Sequence, residues 1–456
     1  GRSNRGCQRG IEEFARFTRF GAAIYNGESL LEYYFIDVGQ GDGILIKTPE
    51  FRHILVDGGY PRKKQPTGKS AADFVDWKFV KDYGLKAIAL DALIASHNDL
   101  DHYGGLADLL DVAQSHDLDA EELTIEHAFH AGLSWWKTAS SSRTLGPIEG
   151  PSKSKFFIKL LNDRDSAVEA LAAGADPRLQ GEWGAFISLL LQARTGSGSS
   201  TPLQRLSHVT GLLPGFETGD VVVKVLAPVE YDLAGKPALR SLGAKTGQNT
   251  NGHSVLLRVD FGRTRVLLTG DLNKAAQQQL LDEYAGDRLQ FAVDVAKACH
   301  HGSDDVSMTF LQAMGPSATI ISSGDFEGHD HPRPQIVAAS GVTGHLVVEN
   351  DEIVTPLVYS TEIARSYKLG KLTGIELDNG AMVEGNALGM TKLHYEETAS
   401  GALSAKKDYQ HSAGTYVVSG LVYGLVNVRT DGKRIQVATL NEADKSWSTK
   451  NFLARF

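Results

Sequence analysis

The segment Ser96-His97-Asn98-Asp99-Leu100-Asp101-His102-Tyr103-Gly104-Gly105 places two histidines and two aspartates within six positions. Imidazole nitrogen and carboxylate oxygen at that density are the ligand set of a divalent cation, and there are enough of them for two. The competing reading is a polar turn with Asp101 as a helix cap and the histidines on the surface. Three further segments carry the same residue types. Leu267-Leu268-Thr269-Gly270-Asp271 ends an apolar run on an aspartate, and Val295-Ala296-Lys297-Ala298-Cys299-His300-His301-Gly302-Ser303 ends one on a histidine pair. Gly328-His329-Asp330-His331-Pro332 follows. Alone, the Gly-Asp turn is commonplace. Together, the four read as one site assembled from distant parts of the chain.

Such a site needs rigid elements ending at one place. Short runs rich in β-branched and aromatic residues, bounded by Gly or Pro turns, predict strands over Leu31–Val38, Gly43–Lys47 and His53–Val56. A helix is expected over Ala71–Tyr83, then a buried strand over Ala92–Ser96 and a helix over Gly105–Ala113. Strands resume at Val221–Leu226, Ser254–Phe261 and Thr264–Thr269. Beyond them helix and strand alternate: Lys274–Tyr284, Val293–Ala298, Ser307–Met314, Ala318–Ser322, Pro334–Ala339 and His345–Val348. The fold class is therefore α/β with hairpins mixed in, not a purely parallel sheet. Each ligand-bearing segment stands where a strand ends and a turn opens a helix, the usual place for α/β sites.

Three regions fall outside that alternation. Residues 1–25 read as an arginine-rich helical arm. Residues from about 128 to 213 read as an insertion with helical stretches at Phe156–Leu161 and Phe186–Gln192. Residues 351–456 read as a small β-rich C-terminal module, a conceivable docking point for a protein partner. The core domain spans 26–350.

The 456 residues are 42% hydrophobic and 22% charged, with a net charge of −9, which excludes a mostly disordered chain and a globally basic nucleic-acid binder. No apolar run reaches the roughly 18 residues of a membrane span. Two cysteines, Cys7 and Cys299, exclude a disulfide scaffold and point to a reducing, cytoplasmic setting. Cys299 reads as a small apolar core residue.

The motifs, taken in order, resemble those of the metallo-β-lactamase fold, in the branch of the ComEC-type competence proteins. Phe35-Ile36-Asp37-Val38-Gly39-Gln40-Gly41-Asp42 matches the branch's opening, and Val56-Asp57-Gly58-Gly59 its second motif. Ser96 to Gly105 matches its metal-binding motif. Asn251 to Ser254, Leu268 to Asp271, His300 to Ser303 and His331-Pro332 match those that follow. The resemblance covers roughly residues 32–350. It implies an αββα sandwich with the site on one edge, and two divalent ions: Mn²⁺ or Zn²⁺, with Mg²⁺ a further option. By position, His97 and Asp99 serve one ion, Asp101 and His102 the other, Asp271 bridges them, and His331 completes the second. His300 and His301 then act as catalytic or outer imidazoles, beside Asp101. Asp57 orients the ligand loop. Asn251 stands where other branches carry a histidine, with His253 as the alternative. Asp37, Gln40, Asp42, Lys297 and Ser303 either line the site or stabilise turns, and for Ser303 helix capping is the simpler role.

The resemblance implies a metal-dependent phosphodiesterase, a nuclease first. Arg62, Lys63, Lys64 and Lys69 and the basic arm are candidate phosphate contacts. Two other classes remain open: a small-molecule hydrolase of a lactone, ester or cyclic nucleotide with the insertion as lid, and a non-catalytic metal-stabilised binding module.

Overall fold

The computed structural model describes residues 30–64, 68–111, 118–151, 154–324, 331–362, 424–441 and 446–456, with shorter stretches between 370 and 417. The predicted N-terminal arm and Cys7 lie outside the described residues.

Two sheets face each other. The nine-stranded sheet runs in the order Leu203–Arg205, Ala128–His130, Ala92–Ala95, His53–Val56, Ile44–Lys47, Leu31–Phe35, Val426–Thr430, Arg434–Leu440, Trp447–Leu453. The seven-stranded sheet runs Gly211–Leu212, Val221–Ala227, Leu256–Phe261, Thr264–Leu268, Val295–Lys297, Ala318–Ile321, Leu357–Ser360. Period-two alternation sorts the side chains. Leu31, Tyr33, Phe35, Ile44, Ile46, Ile54, Val56 and Ile94 meet Val221, Val223, Leu257, Val259, Val266, Leu268 and Val295 between the sheets. Their neighbours Tyr34, Leu45, Leu55 and Leu93 point outward, under the helices Ala71–Trp77, Leu100–Leu110 and Gly181–Gln192. On the far side, Leu256, Leu267 and Ala296 are covered by Lys274–Glu283, Met308–Met314 and Pro334–Thr343. This is the expected αββα sandwich. Where helices cover the outer face, as over Ala92–Ala95 and Ala318–Ile321, the strands are fully buried and read as nearly continuous apolar runs, whereas the outer strand Trp447–Leu453 is largely polar and exposed. Among the described residues, no helix is long and apolar enough to cross a membrane.

Within the sandwich, His53–Val56 and Ala92–Ala95 are parallel, as are Thr264–Leu268, Val295–Lys297 and Ala318–Ile321. Their C-terminal ends open toward one edge, where the chemistry-bearing segments begin. The Ser96 carbonyl accepts the Val255 N–H at 2.8 Å and so ties the two sheets together at that edge.

Several expectations change. Phe156–Phe157 forms a strand between Ile148–Glu149 and Leu239–Arg240, not a helix, because pairing on both sides, one of them with a distant segment, overrides local propensity. Both ends of the expected insertion belong to the main sheet, since Ala128–His130 pairs in parallel with Leu93–Ala95, and Leu203–Arg205 with Ala128–His130. The C-terminal region does not stand apart as a module at its end. Val426–Thr430 pairs with Leu31–Phe35, and Val426, Val428, Ile435, Val437 and Phe452 are buried between the sheets. This pairing joins residues almost 400 apart; Asn427 Nδ2, for instance, donates to the Tyr33 carbonyl at 3.0 Å. No local pattern announces it.

Two predictions follow from this packing. Deleting residues 424–456 exposes apolar surface worth about 1.5–3 kcal/mol per buried aliphatic side chain. Loss of a cooperative thermal transition is expected, whereas an unaltered transition would restore the separate module. Glu32 is the second case. It lies 2.9 Å from Lys47 and 3.2 Å from Arg429, across the same seam. Burial alone would raise its pKa, but Arg429, Lys47 and Lys78 outweigh burial and hold it at about 2 instead of 4.5. A lowered folded-state pKa stabilises the fold above the unfolded value and loses that effect as pH falls toward the folded one. The stability gap between the native chain and Glu32→Gln, measured by urea unfolding, should therefore close between about pH 4.5 and about pH 2. A gap constant across that window would remove the ion-pair explanation.

Candidate metal centre

The ligand-bearing loop starts where Ala92–Ala95 ends and becomes helical earlier than predicted. Asp99 is extended (φ −97°, ψ 144°), and the helix runs Leu100–Leu110, so Asp101 and His102 sit in its first turn. The glycines beside them permit backbone-on-backbone packing. The Gly58 N–H donates to the His102 carbonyl at 2.7 Å, and a Cβ on Gly105 would lie 1.9 Å from the Gly58 carbonyl oxygen. Any side chain there would push the helix off the Asp57 turn.

At the edge, ligand atoms of Asp101, His102, Asp271 and His301 all lie within 4.8 Å of one another. Asp271 Oδ2 is 3.2 Å from His102 Nε2 and 3.1 Å from His301 Nε2, and these two nitrogens are 3.2 Å apart. Asp101 Oδ2 is 3.7 Å from His301 Nε2, and Gln40 Nε2 approaches it at 3.5 Å. The other ring nitrogens are already engaged. His102 Nδ1 donates to Asp57 Oδ2 at 2.8 Å, and His301 Nδ1 to the Ser322 carbonyl at 2.9 Å. Each partner fixes the tautomer that turns an Nε2 lone pair toward the cluster, the arrangement a metal requires. Asp57 Oδ1 also accepts the Ser96 N–H at 2.7 Å, so one carboxylate holds both the ring and the loop.

Beside the cluster lies a second group. His97 Nδ1 meets Ser96 Oγ at 3.1 Å and Ser254 Oγ at 3.3 Å, while its buried Nε2 has no hydrogen-bond partner and lies 3.8 Å from Asp99 Oδ2. Thr250 Oγ1 donates to that same Asp99 oxygen at 2.7 Å. The Asn251 amide, oriented to satisfy both neighbours, donates to Asp99 at 2.8 Å and accepts from His300 Nε2 at 3.1 Å. Asp271 Oδ2 is 3.8 Å from His300 Nε2.

The electrostatics match a cation-binding site. Burial would lower the His301 pKa, but Asp271 and Asp42 raise it to about 9, and His102 is raised by Asp271, Asp57 and Asp101 against the same burial. With no metal present the carboxylates thus hold these imidazoles in their protonated form, and a divalent ion would take the place of those protons. Burial and the Asp101 charge raise Asp99 to about 7. Burial also opposes the Lys297 charge, but Asp42 and Asp271 more than restore it. An orphaned Nε2 on His97 and four converging ligand atoms fit the implied metal ions.

The structure divides the sequence-predicted residues. His97, Asp99, Asp101, His102, Asp271, His300, His301, Asn251, Asp57, Asp42, Gln40 and Lys297 converge. The order of the late histidines differs from expectation. His301 stands in the ligand cluster, whereas the His331 ring is 5.7 Å from that of His300. The cause is the backbone: His300 and His301 both adopt left-handed angles (φ 49° and 53°), which place one ring at the mouth and the next in the interior. His253 is not brought in, because its Nε2 donates to the Arg240 carbonyl at 2.9 Å. Ser303 Oγ accepts the Asp305 N–H at 3.2 Å, a turn-stabilising role. Asp37 pairs with Lys69. Ser96 and Ser254 stand in the matched motifs without a role assigned to them, and Thr250 was not singled out from the sequence. The hydroxyls of all three orient site residues.

The expected phosphate-binding loop is also different. Arg62 pairs with Asp73 at 2.5 Å, Lys64 with Glu182 at 2.7 Å, and Lys69 with both Asp37 and Glu362. Only Lys63 of the four has no such pair among the described residues, and it is exposed. Cys299 is buried in the apolar layer, and burial pushes its thiol up to about 11.

No family model matches the chain. ComE operon protein 3 of Bacillus subtilis (strain 168) is 24% identical over 315 residues, 67% of this chain and 30% of that protein. The chain therefore spans under a third of that relative's length. The metallo-β-lactamase fold protein YhfI from Bacillus subtilis is similar over 73% of this chain and 98% of its own, at 11% identity and a TM-score of 0.34. Tm1679, a metal-dependent hydrolase of the β-lactamase superfamily, matches 73% of this chain and 95% of its own, at 11% identity and a TM-score of 0.33.

The geometry assigns opposite outcomes to two histidines. His301→Ala should lower the divalent-ion content of purified protein as far as His102→Ala does, while His331→Ala should keep most of it. Elemental analysis after dialysis decides, and the reverse pattern would return the ligand role to His331.

Proposed function

We propose that the chain is a metal-dependent hydrolase of phosphodiesters, with nucleic acid as the first substrate class to test. The observation that carries the reading is the convergence of Asp101, His102, Asp271 and His301 within 4.8 Å at the edge of the sandwich, with His97 and Asp99 beside them. Asp101, His102, Asp271 and His301 would hold one divalent ion, and His97 and Asp99 would contribute to a second. Bound there, such ions acidify water and neutralise the charge that grows on an attacked phosphoryl group. Two carboxylates and a half-exposed third among the ligands suit Mn²⁺ as well as Zn²⁺.

The chain's own groups do the rest. His300 is 24% exposed at the mouth, and its Nε2 is held by Asn251. Burial lowers the His300 pKa and the Asp271 charge opposes that, so in its protonated form it can pass a proton to a departing alkoxide. Gln40, reaching Asp101 from the opposite side, restricts how that carboxylate turns. An anionic substrate would meet a cation at the rim that forms no ion pair among the described residues. The exposed Arg143 guanidinium stacks 3.7 Å above Trp135, whose Nε1 donates to the Asn98 carbonyl between His97 and Asp99. This contact also brings the inserted segment to the rim of the site, which favours a small-molecule ester or lactone as the second reading. Arg62, Lys64 and Lys69, already ion-paired, give the nucleic-acid reading little help, so it rests on the motif resemblance and on this rim.

Metal-stripped protein reloaded with Mn²⁺, Zn²⁺ or Mg²⁺ should be assayed on a chromogenic phosphodiester, single- and double-stranded DNA, RNA, and an ester and a lactone. Diester cleavage is expected, falling by at least about 10²-fold in Asp101→Asn and His102→Ala. Turnover of the ester or lactone alone, with every diester inert, would overturn the phosphodiesterase reading.

A further inference from the structure

Beneath the cluster lies a cation that the proposed chemistry leaves unused. Lys297 ends the strand Val295–Lys297 and is completely buried. Its Nζ is 2.6 Å from Asp42 Oδ2, donates to the Gly270 carbonyl at 2.7 Å, and lies 3.5 Å from Asp271 Oδ1. Burying an ammonium group is costly unless each of its directions is answered, and here they are answered by one carboxylate, one carbonyl and one ligand.

The two oxygens of Asp271 face different worlds. Oδ1 faces Lys297, whereas Oδ2 faces His102, His301 and His300 at 3.2, 3.1 and 3.8 Å. The Gly270 carbonyl that Lys297 grips also accepts the His300 N–H at 3.2 Å. Gly270 itself is left-handed (φ 50°), with Ser254 packed where a side chain would stand. One ammonium group therefore hydrogen-bonds the peptide before Asp271, whose carbonyl also holds the start of the histidine pair, and stands in ion-pair contact, without a hydrogen bond, with one oxygen of the Asp271 carboxylate.

We infer that Lys297 is a positioning residue for the metal centre: it engages Asp271 Oδ1 and so presents Asp271 to a cation through Oδ2 alone. This rests on the metal-binding reading above. Asp42 is the counter-charge that makes the burial of Lys297 tolerable, and it stands behind the rings, 3.5 Å from His301 Nδ1. A purely structural role for Lys297 would end with the Lys297–Asp42 pair. The positioning role extends to Asp271 and predicts an effect on metal affinity separable from stability.

The test replaces the pair together, since removing Lys297 alone strands Asp42 as a buried anion. In full-length Lys297→Met/Asp42→Asn, thermal unfolding of metal-free protein should stay within a few degrees of the native chain. Mn²⁺ affinity, measured by calorimetric titration, should weaken by roughly 10–100-fold, the usual size of an outer-shell effect. Unchanged affinity in the folded double variant would overturn the inference and leave Lys297 as a structural ion pair. If the double variant does not fold, Lys297→Gln, which retains a donor for Gly270, is decided by the same affinity criterion at low temperature. Failure of the native chain to bind Mn²⁺, Zn²⁺ or Mg²⁺ would instead strike the metal-binding reading itself.

Discussion

Three carboxylates buried to within a few percent, Asp42, Asp57 and Asp271, share one edge of the sandwich, and cationic neighbours outweigh burial to hold Asp42 and Asp271 in the charged form. A lone buried carboxylate would take up a proton. Here Lys297, His102 and His301 stand against them at 2.6 to 3.2 Å. Asp42 comes from the turn between the antiparallel strands Leu31–Phe35 and Ile44–Lys47, whereas the strands that lead to the others are parallel within each sheet, so their C-terminal ends bring separate segments to one line without long loops. The core between the sheets is correspondingly apolar, and the polar load is concentrated at the edge.

Backbone strain is concentrated there too. Two consecutive histidines in left-handed conformation each cost on the order of 1–3 kcal/mol, which ordinary turns avoid by using glycine. The surrounding structure holds them: Gly270 accepts the His300 N–H, and Ser322 anchors the His301 ring. Glycine replacement would relieve the strain but remove both rings. The strain is thus the cost of aiming adjacent side chains at different parts of one site, and it explains why a histidine pair succeeds where alternate positions on a strand would not.

Much of this was legible in the sequence, and the boundary of legibility is physical. Residue type and spacing announced the His97–His102 cluster, Asp271 and the histidine pair, because ligand chemistry restricts residue types severely. Spacing could not say which of His300, His301 and His331 turns inward, since that depends on backbone angles that neighbours impose. The roles of the Ser96, Thr250 and Ser254 hydroxyls were not legible for another reason: serine and threonine serve so many turns that their presence, even inside a motif, does not say what they bond. The C-terminal strands were legible as strands but not as members of the main sheet. Their partner lies at the opposite end of the described chain, and apolar alternation does not encode pairing across that distance. The basic loop misled in the opposite direction, because charge counted along the chain ignores Asp73, Glu182, Asp37 and Glu362, which neutralise it from elsewhere.

The same geometry divides the site into two halves with different freedoms. His102, His301, Asp57, Asp42 and Lys297 are at most 1% exposed and have little room to move. Asp99, Asp101 and His300 are 26%, 17% and 24% exposed and border the solvent. A buried half fixed by dense hydrogen bonding suits the binding of a cation, which needs ligands already in place. An open half suits a reacting molecule, which must enter, exchange protons and leave. Asp271 joins the halves, with one oxygen toward the buried ammonium and the other toward the rings. Because Asn251 links Asp99 to His300 across the open half, a shift in either reaches the other directly.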